Sequence, residues 1–368
     1  MTQIMGCCNR YVQGYGELDN LKKHISWMGS RFLVMASKNR LASLRERIAQ
    51  AMGAETNLTF AQFDGECSWD TINPLIALAK ECGADAVLGI GGGKVADAAK
   101  VVAYKSGAAS VIIPTVASSD ASTSSASLIY DDHGVMVDKL SYHKSPELVL
   151  VDTQIILHAP VRLFVSGMGD ALSTYVGAKV CQDNYFDSHF DAKGTRTALE
   201  IAKLSYELLL EYGLQAKKAV EQKAYTHAFN TITEVNILMS GLGFENNGSS
   251  SDHCFFSSMQ ALTERRPHAY HGEGVAFSTC CQFVMQGTEN IALDRHFRFC
   301  LDVGLPITFE DLGLFEPTEE ELSIMTKEAL KKTSMRKQPF EVTYEKVYGA
   351  YKTADSIGKL YKSGGRLA

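Results

Sequence analysis

The chain has 368 residues, of which 45 % are hydrophobic and 21 % charged, with a formal net charge of −6 and an isoelectric point of about 6.0. These values are typical of a globular protein long enough for two domains with sizeable cores. The acidic balance and the lack of a long Lys/Arg run argue against a nucleic-acid surface, and no apolar stretch approaches the ~20 residues that a membrane span needs.

In the first half of the chain, short β-branched runs alternate with helical periodicity. Strands are predicted at residues 31–36, 57–60, 86–90, 110–113 and 148–151. Helices with apolar residues at three- and four-residue spacing are predicted at 40–52 and 71–82. Continuous apolar strands alternating with helices predict a Rossmann-like parallel sheet covered on both faces.

Two further features complete the predicted organisation. Alternating runs at 127–130 and 135–137 flank an Asp/Gly turn at 131–134, which predicts a β-hairpin. After residue 152 the strand signals nearly vanish, and helices are predicted through Asp170, at 197–212 and at 217–236. We therefore predict a dinucleotide-binding domain over residues 1–158 and an all-α metal- and substrate-binding domain over residues 159–368.

The cysteines point to a reducing compartment. All nine lie outside CxxC pairs, their number is odd, and two pairs are adjacent in sequence. We interpret them as reduced, packed thiols of a cytoplasmic protein. The polar first residues lack the apolar run of a signal peptide, which supports the same expectation.

A glycine turn supplies the first candidate ligand site. Gly91, Gly92, Gly93 and Lys94 follow a predicted strand and open a predicted helix at 95–104. Glycines there let the backbone approach a pyrophosphate, whose charge the helix N-terminus favours. Strand-to-helix turns also use glycine for steric reasons alone. Asp97, one turn later, could bond ligand hydroxyls or simply favour the helix N-terminus.

A second candidate segment follows the next strand. Residues 114–120 carry Thr115, Ser118 and Asp120, and small hydroxyl residues at a strand's carboxyl end are where open α/β sheets bind ligands. An ordinary Ser/Thr loop is the alternative. Asp120 is the candidate for bonding a substrate hydroxyl.

One carboxylate and two imidazoles suggest a metal site in the helical half. Asp170, His253 and His271 form a ligand set for one divalent ion with an open position. His268 and His271 could instead pair on one helical turn and leave His253 outside the site.

Several motifs together resemble the glycerol dehydrogenase family of the metal-dependent, iron-containing alcohol dehydrogenase superfamily. They span nearly the whole chain, at residues 65–68, 89–94, 114–121, 128–130, 167–172, 241–245 and 271–273. The resemblance implies a dehydroquinate synthase-like architecture, NAD as cofactor and zinc held by Asp170, His253 and His271. It also implies that Asp120 contacts the substrate. The cofactor contacts that it implies are Gly93, Lys94, Asp97, Thr115, Ser118, Ser124 and Tyr130.

The chain departs from the family pattern at several positions. Thr174 stands where iron-dependent relatives carry a fourth, histidine ligand, which favours the three-ligand zinc type. Ala126 replaces a leucine near the nicotinamide, and Phe256 replaces a second histidine. Ser37 stands where relatives place the carboxylate that bonds the adenosine ribose. Because such an acid would repel a 2′-phosphate, its absence predicts weaker discrimination against NADP(H).

These observations predict a zinc-dependent oxidoreductase that reversibly transfers a hydride between NAD, or NADP, and a secondary hydroxyl of a small polyol. Glycerol, 1,2-propanediol and other short hydroxy or carbonyl compounds stay open as substrates, and a homo-oligomer is expected. One alternative is a dehydroquinate synthase-like lyase or cyclase that uses NAD transiently. The other is a non-catalytic nucleotide-binding protein.

Overall fold

A computed structural model describes residues 2–131 and 135–367 of the chain. The chain forms two compact units. The sheet-containing unit comprises Gly6–Pro160 and Lys223–Tyr225, and the helical unit comprises Met1–Met5, Val161–Gln222 and Thr226–Ala368. The main division after Pro160 lies near the predicted boundary at residue 158.

The strands are β1 (Tyr11–Gly14), β2 (Arg31–Ala36), β3 (Asn57–Gln62), β4 (Ala86–Gly91), β5 (Ala109–Pro114), β6 (Ala126–Tyr130), β7 (Met136–Ser141) and β8 (Leu148–Asp152). The helices are α1 (Leu21–Ile25), α2 (Lys38–Met52), α3 (Trp69–Glu81), α4 (Gly93–Ser106), α5 (Thr153–Leu157), α6 (Val161–Asp183), α7 (Arg196–Glu221), α8 (His227–Glu234), α9 (Ser240–Asn247), α10 (Cys254–Met259), α11 (His271–Met285), α12 (Asn290–Val303), α13 (Glu319–Lys331) and α14 (Tyr344–Lys362). A π-helical segment, Val235–Met239, joins α8 to α9, and short 3-10 turns lie at Glu17–Asn20, Ser26–Met28, Glu310–Leu312 and Thr333–Arg336.

The described residues of the first unit form a six-stranded parallel sheet in the order β1-β8-β5-β4-β2-β3. Its central strands are fully buried, as their continuous apolar sequences predicted. The predicted α/β fold is therefore confirmed. Strand β1 carries no strong apolar pattern and was not predicted.

The predicted hairpin is present as the antiparallel pair β6 and β7. Most of its predicted turn, residues 132–134, lies outside the described residues. The pair is separate from the parallel sheet.

The second unit is helical, as predicted, but one helix boundary was wrong. Helix α7 runs without a break through residues 213–216, and the break falls at 222–226, inside the helix predicted for 217–236. Lys223 adopts a φ of 52°, and its Nζ donates to the carbonyls of Leu157 and Ala159 at 3.0 and 3.2 Å. Thr226 then caps α8 by accepting a hydrogen bond from the Phe229 amide. Because the break depends on these contacts, periodicity alone did not reveal it. Within the described residues, no helix is long and apolar enough to cross a bilayer.

Candidate functional site

The structure brings Asp170, His253 and His271 together within the helical unit. Asp170 lies in the middle of α6, His253 directly precedes α10, and His271 is the first residue of α11. Asp170 Oδ1 lies 3.4 Å from His271 Nε2 and 3.8 Å from His253 Nε2. Two donors held at about 2.1 Å by one tetrahedral zinc ion lie roughly 3.4 Å apart, so the spacing fits a single small divalent cation.

This arrangement shows which histidines lie beside Asp170. His268 is exposed and is not part of the cluster, whereas His253 and His271 both direct Nε2 at the carboxylate. The alternative pairing of His268 with His271 on one helical turn is therefore wrong. Helix α11 begins at His271, so His268 lies outside it.

Two glycines explain how α6 and α11 bring these candidate ligands together. A Cβ on Gly272 would lie 1.8 Å from the Ser166 carbonyl oxygen, and one on Gly169 would lie 2.3 Å from the Gly272 oxygen. The two backbones are therefore in direct contact one residue away from each of two ligands. Any side chain at these positions would separate Asp170 from His271.

His253 is oriented by Asp252, a buried carboxylate that the sequence analysis did not identify. Its Oδ2 lies 2.7 Å from His253 Nδ1, while its Oδ1 accepts hydrogen bonds from the amide and hydroxyl of Ser250. Gly177 of α6 leaves room for this carboxylate, since a Cβ there would lie 2.7 Å from Oδ1. A hydrogen bond from Nδ1 to Asp252 leaves the Nε2 lone pair free for a metal.

The start of α11 is held by a second contact with α6. Arg162 pairs with Glu273 through its Nε and a second guanidinium nitrogen, at 2.6 and 2.9 Å. Glu273 in turn accepts a hydrogen bond from the Tyr270 amide at 2.8 Å, and the guanidinium lies over the Tyr270 ring. This network fixes the first turn of α11 and therefore the backbone of His271.

The electrostatics of the cluster favour a bound cation. Burial opposes the charge on Asp170, but the imidazoles of His271 and His253 hold the pKa of its carboxyl well below the usual range. Burial likewise opposes charge on His253, but Asp252 and Asp170 together raise its pKa to about 10. Two carboxylates thus create a negative potential at the point where the Nε2 atoms converge, which suits a divalent metal.

Thr174 and Phe256, two of the departures from the family pattern, each make contacts with neighbouring helices. Thr174 Oγ1 lies 3.1 Å from Ser240 Oγ and 3.5 Å from the Asp170 carbonyl, so it faces its own helix and α9. Phe256 packs on α11, where a Cβ on Gly274 would lie 2.2 Å from its ring.

In the sheet unit, the glycine turn joins β4 to α4. A Cβ on Gly91 would lie 2.5 Å from Val95, so this glycine is required for packing. A Cβ on Gly93 would make only ordinary contacts, 3.5 Å from Ala121 and Ser119. Gly92 precedes the helix, and no side chain caps it. Packing therefore does not require a glycine at position 93. Close approach of an anionic ligand to the N-terminus of α4 would be a second reason for a glycine there.

Lys94 and Asp97 make protein contacts. The exposed Lys94 pairs with Glu66. The buried Asp97 pairs with Lys100 at 2.9 Å and accepts a hydrogen bond from the Leu128 amide, while burial raises its pKa. These contacts give Asp97 a structural role in holding β6 against α4, and the cofactor contact that the resemblance implies for it stays a prediction.

Lys100, which the sequence analysis missed, organises the predicted ligand loop. Its buried ammonium donates to the Ala121 carbonyl at 2.8 Å, to Ser124 Oγ at 3.1 Å and to the Ala126 carbonyl. Ser124 and Ala126 are thus held by α4. A lysine one turn after Asp97 on an otherwise apolar helix is the signal that could have revealed this pair.

The remaining predicted cofactor residues lie in the same unit. The Thr115 amide donates to the Gly91 carbonyl at 2.9 Å, which fixes the loop after β5 beside the glycine turn. Ser118 and Asp120 are half-buried, and the Asp120 carbonyl accepts from the amide and hydroxyl of Thr123. Tyr130 ends β6, and burial raises the pKa of its hydroxyl to about 12. Ser37 precedes α2 at the carboxyl end of β2.

Comparison with known proteins places the chain in a family. The model of the family described as iron-containing alcohol dehydrogenase matches residues 8–153. The glycerol dehydrogenase of Citrobacter freundii is 36 % identical over 98 % of this chain and 99 % of its own length. The glycolaldehyde reductase of Halobacterium salinarum is 34 % identical over the same shares of each chain.

A solved structure agrees with these sequence matches. Glycerol dehydrogenase from Schizosaccharomyces pombe superimposes with a TM-score of 0.93 at 30 % identity, covering 100 % of this chain and 95 % of that one. The helical half is included in this match, as it is in the curated relatives. The chain therefore belongs to the iron-containing alcohol dehydrogenase family of oxidoreductases, with the fold and nearly the full length of the glycerol dehydrogenases.

Proposed function

We propose that the protein is a zinc- and NAD-dependent dehydrogenase acting on a secondary hydroxyl of glycerol or a related short diol. The observation that carries the proposal is the Asp170–His253–His271 cluster with Asp252 behind it. Three protein donors and an open position are typical of catalytic zinc sites. Thr174 is turned toward Ser240, which supports three protein ligands rather than the four expected for iron.

The cluster and the cofactor divide the chemistry. A divalent metal at the three ligands supplies Lewis-acid stabilisation of negative charge on a substrate oxygen. Bound NAD supplies the hydride acceptor, while the protein provides position and electrostatics. Asp252 holds the His253 tautomer, Arg162 and Glu273 hold the His271 backbone, and Lys100 holds the loop carrying Asp120.

The names of the relatives and the position of Asp120 support the proposed substrate class. Glycerol dehydrogenase and glycolaldehyde reductase are both named for small, hydroxyl-bearing compounds. We propose that Asp120 bonds a second substrate hydroxyl. The lyase alternative finds no support in the comparisons, and an intact ligand cluster argues against a non-catalytic protein. A homo-oligomeric state, a cytoplasmic location and the absence of a nucleic-acid partner remain predictions.

The experiment combines zinc content with turnover. Asp170→Asn, His253→Ala and His271→Ala should each remove most of the activity and lower the zinc content, whereas His268→Ala, a nearby exposed histidine outside the cluster, should do neither. The assay uses a panel of small diols and aldehydes with NAD(H) and NADP(H). Normal turnover and zinc content in any of the first three variants would remove that residue from the site. A wild-type protein that retains no zinc and reduces no cofactor would refute the proposal.

A further inference from the structure

A second group of metal-binding side chains lies in the core of the helical unit. Cys280 of α11 and His296 and Cys300 of α12 place their ligand atoms within 4.8 Å of one another, and all three residues are 0 % exposed. Tetrahedral zinc with sulfur at about 2.3 Å and nitrogen at about 2.0 Å separates such donors by roughly 3.5–3.8 Å. The three donors therefore need little movement to share one ion.

The surroundings of His296 support a metal site independently of the donor distances. Its Nε2 is buried and has no hydrogen-bond partner of good geometry among the described residues, while the ring lies within hydrogen-bonding reach of the Cys300 thiol, a member of the same cluster. Its Nδ1 lies 3.5 Å from the Tyr206 hydroxyl, and the ring is surrounded by Phe283, Phe297 and Tyr206. A buried ring nitrogen without a partner is costly. With Nδ1 facing Tyr206, Nε2 is left as the nitrogen available for coordination.

We propose that Cys280, His296 and Cys300 form a second zinc site, separate from the Asp170 cluster. Two thiolates balance the charge of Zn²⁺, so the loaded site is neutral and suited to an apolar core. Three protein donors leave one tetrahedral position for a water molecule. The site joins α11, whose first residue is His271, to α12. Although it has three protein ligands, as catalytic sites do, all three are 0 % exposed and out of reach of a substrate, so we assign it a structural role.

Zinc stoichiometry tests this site. Purified wild type, desalted into metal-free buffer without chelator, should hold more than one zinc per chain, and His253→Ala should still hold one. In the His253→Ala background, Cys300→Ser should lose that zinc. Cys281→Ser, an equally buried neighbour outside the cluster, should keep it.

If Cys300→Ser does not fold, absorption spectroscopy with cobalt(II) in place of zinc tests the same site. His253→Ala protein expressed with cobalt(II) should show thiolate-to-cobalt charge-transfer absorption, and adding His296→Asn should change its ligand-field bands. The absence of zinc and of this absorption in His253→Ala would overturn the proposal, as would a Cys280–Cys300 disulfide in the purified protein.

A different observation concerns the cofactor end of the sheet. Strands β2 and β3 are parallel neighbours with Ala36 opposite Gln62, so the segments that follow them leave the sheet side by side. Asp64 Oδ1 accepts a hydrogen bond from the Lys38 amide at 3.2 Å. A carboxylate thus lies beside Ser37, although it comes from the loop after β3 and not from β2 itself.

We infer that Asp64 selects NAD(H) over NADP(H), an inference that rests on the proposed function. In dinucleotide-binding sheets the acid at the end of this strand bonds the ribose hydroxyls, and it repels a 2′-phosphate. Asp64 places the same charge at the same end of β2 and occupies an amide of the α2 N-terminus that a phosphate would need. This reverses the expectation drawn from Ser37 alone.

Equilibrium binding tests Asp64 without turnover. Fluorescence titration of the zinc-loaded protein gives Kd for NADH and for NADPH. Asp64→Asn should shift the ratio of the two constants toward NADPH by about tenfold or more, which corresponds to 1.4 kcal/mol per factor of ten. Asp70→Asn removes the same charge from the exposed first turn of α3 and should leave the ratio unchanged.

The outcomes separate the two proposals. Failure of the wild type to bind either cofactor would overturn the proposed function, and the selectivity inference with it. Binding of NADH with an unchanged ratio in Asp64→Asn, or an equal shift in Asp70→Asn, would overturn only the role of Asp64.

Discussion

Gly272→Ala should destroy the metal site through backbone geometry alone, because no ligand is altered. The new Cβ would lie 1.8 Å from the Ser166 oxygen, and contacts under 3.0 Å are essentially never seen for a Cβ. Helices α6 and α11 must therefore separate locally by about 1.2 Å (3.0 − 1.8). Metal–ligand distances tolerate only about 0.2 Å, so Asp170 and His271 could no longer bind one ion in good geometry.

The expected loss of zinc affinity is about 100-fold or more, at the upper end of what disturbing a ligand's support costs. Overpacking should also lower the free energy of unfolding by about 1–3 kcal/mol. Competition with a chromogenic chelator measures the affinity, and thermal unfolding of the metal-free protein measures the stability.

Gly349→Ala is the matched control for this substitution. It lies in α14 with open space around its Cβ position, so the same change should stabilise the protein by up to about 1 kcal/mol through helix propensity. Zinc affinity should stay at the wild-type value. If Gly272→Ala bound zinc like the wild type and kept its kcat/KM, the close approach of the helices would not be what positions the ligands.

Three further outcomes are expected. Asp252→Asn weakens the bond that orients His253 and should lower zinc affinity by about 10–100-fold in chelator competition; an unchanged affinity would contradict the role assigned to Asp252. Lys100→Met leaves Asp97 buried and unpaired, so the free energy of unfolding in denaturant should fall by about 3–5 kcal/mol, and a loss below 1 kcal/mol would count against the pair. Asp120→Ala should raise KM for a diol far more than for a simple mono-alcohol, whereas equal losses would indicate that Asp120 only holds its loop.

Local sequence patterns were sufficient for five of the six described strands of the parallel sheet, and only the edge strand β1 was missed. The apolar runs that became β2, β4, β5 and β8 are buried on both faces, and a strand in that environment needs continuous β-branched residues. The glycine turn before α4 was also predicted from the sequence. The structure explains Gly91, because a Cβ at that position would clash with Val95. Family motifs added the Asp170, His253 and His271 set, which spacing alone left open between His253 and His268.

Tertiary structure decided what supports the site. Asp252 reads in the sequence as one more polar residue, and only the approach of Gly177 places it behind His253. Asp64 follows a different strand from Ser37, so its position at the end of β2 depends on which strands are neighbours. Hydrophobic periodicity indicates which face of a helix or strand is buried. The contacts of Asp252 and Asp64 instead join residues from different elements of the chain. Strand order and helix packing determine such contacts, and no local pattern encodes them.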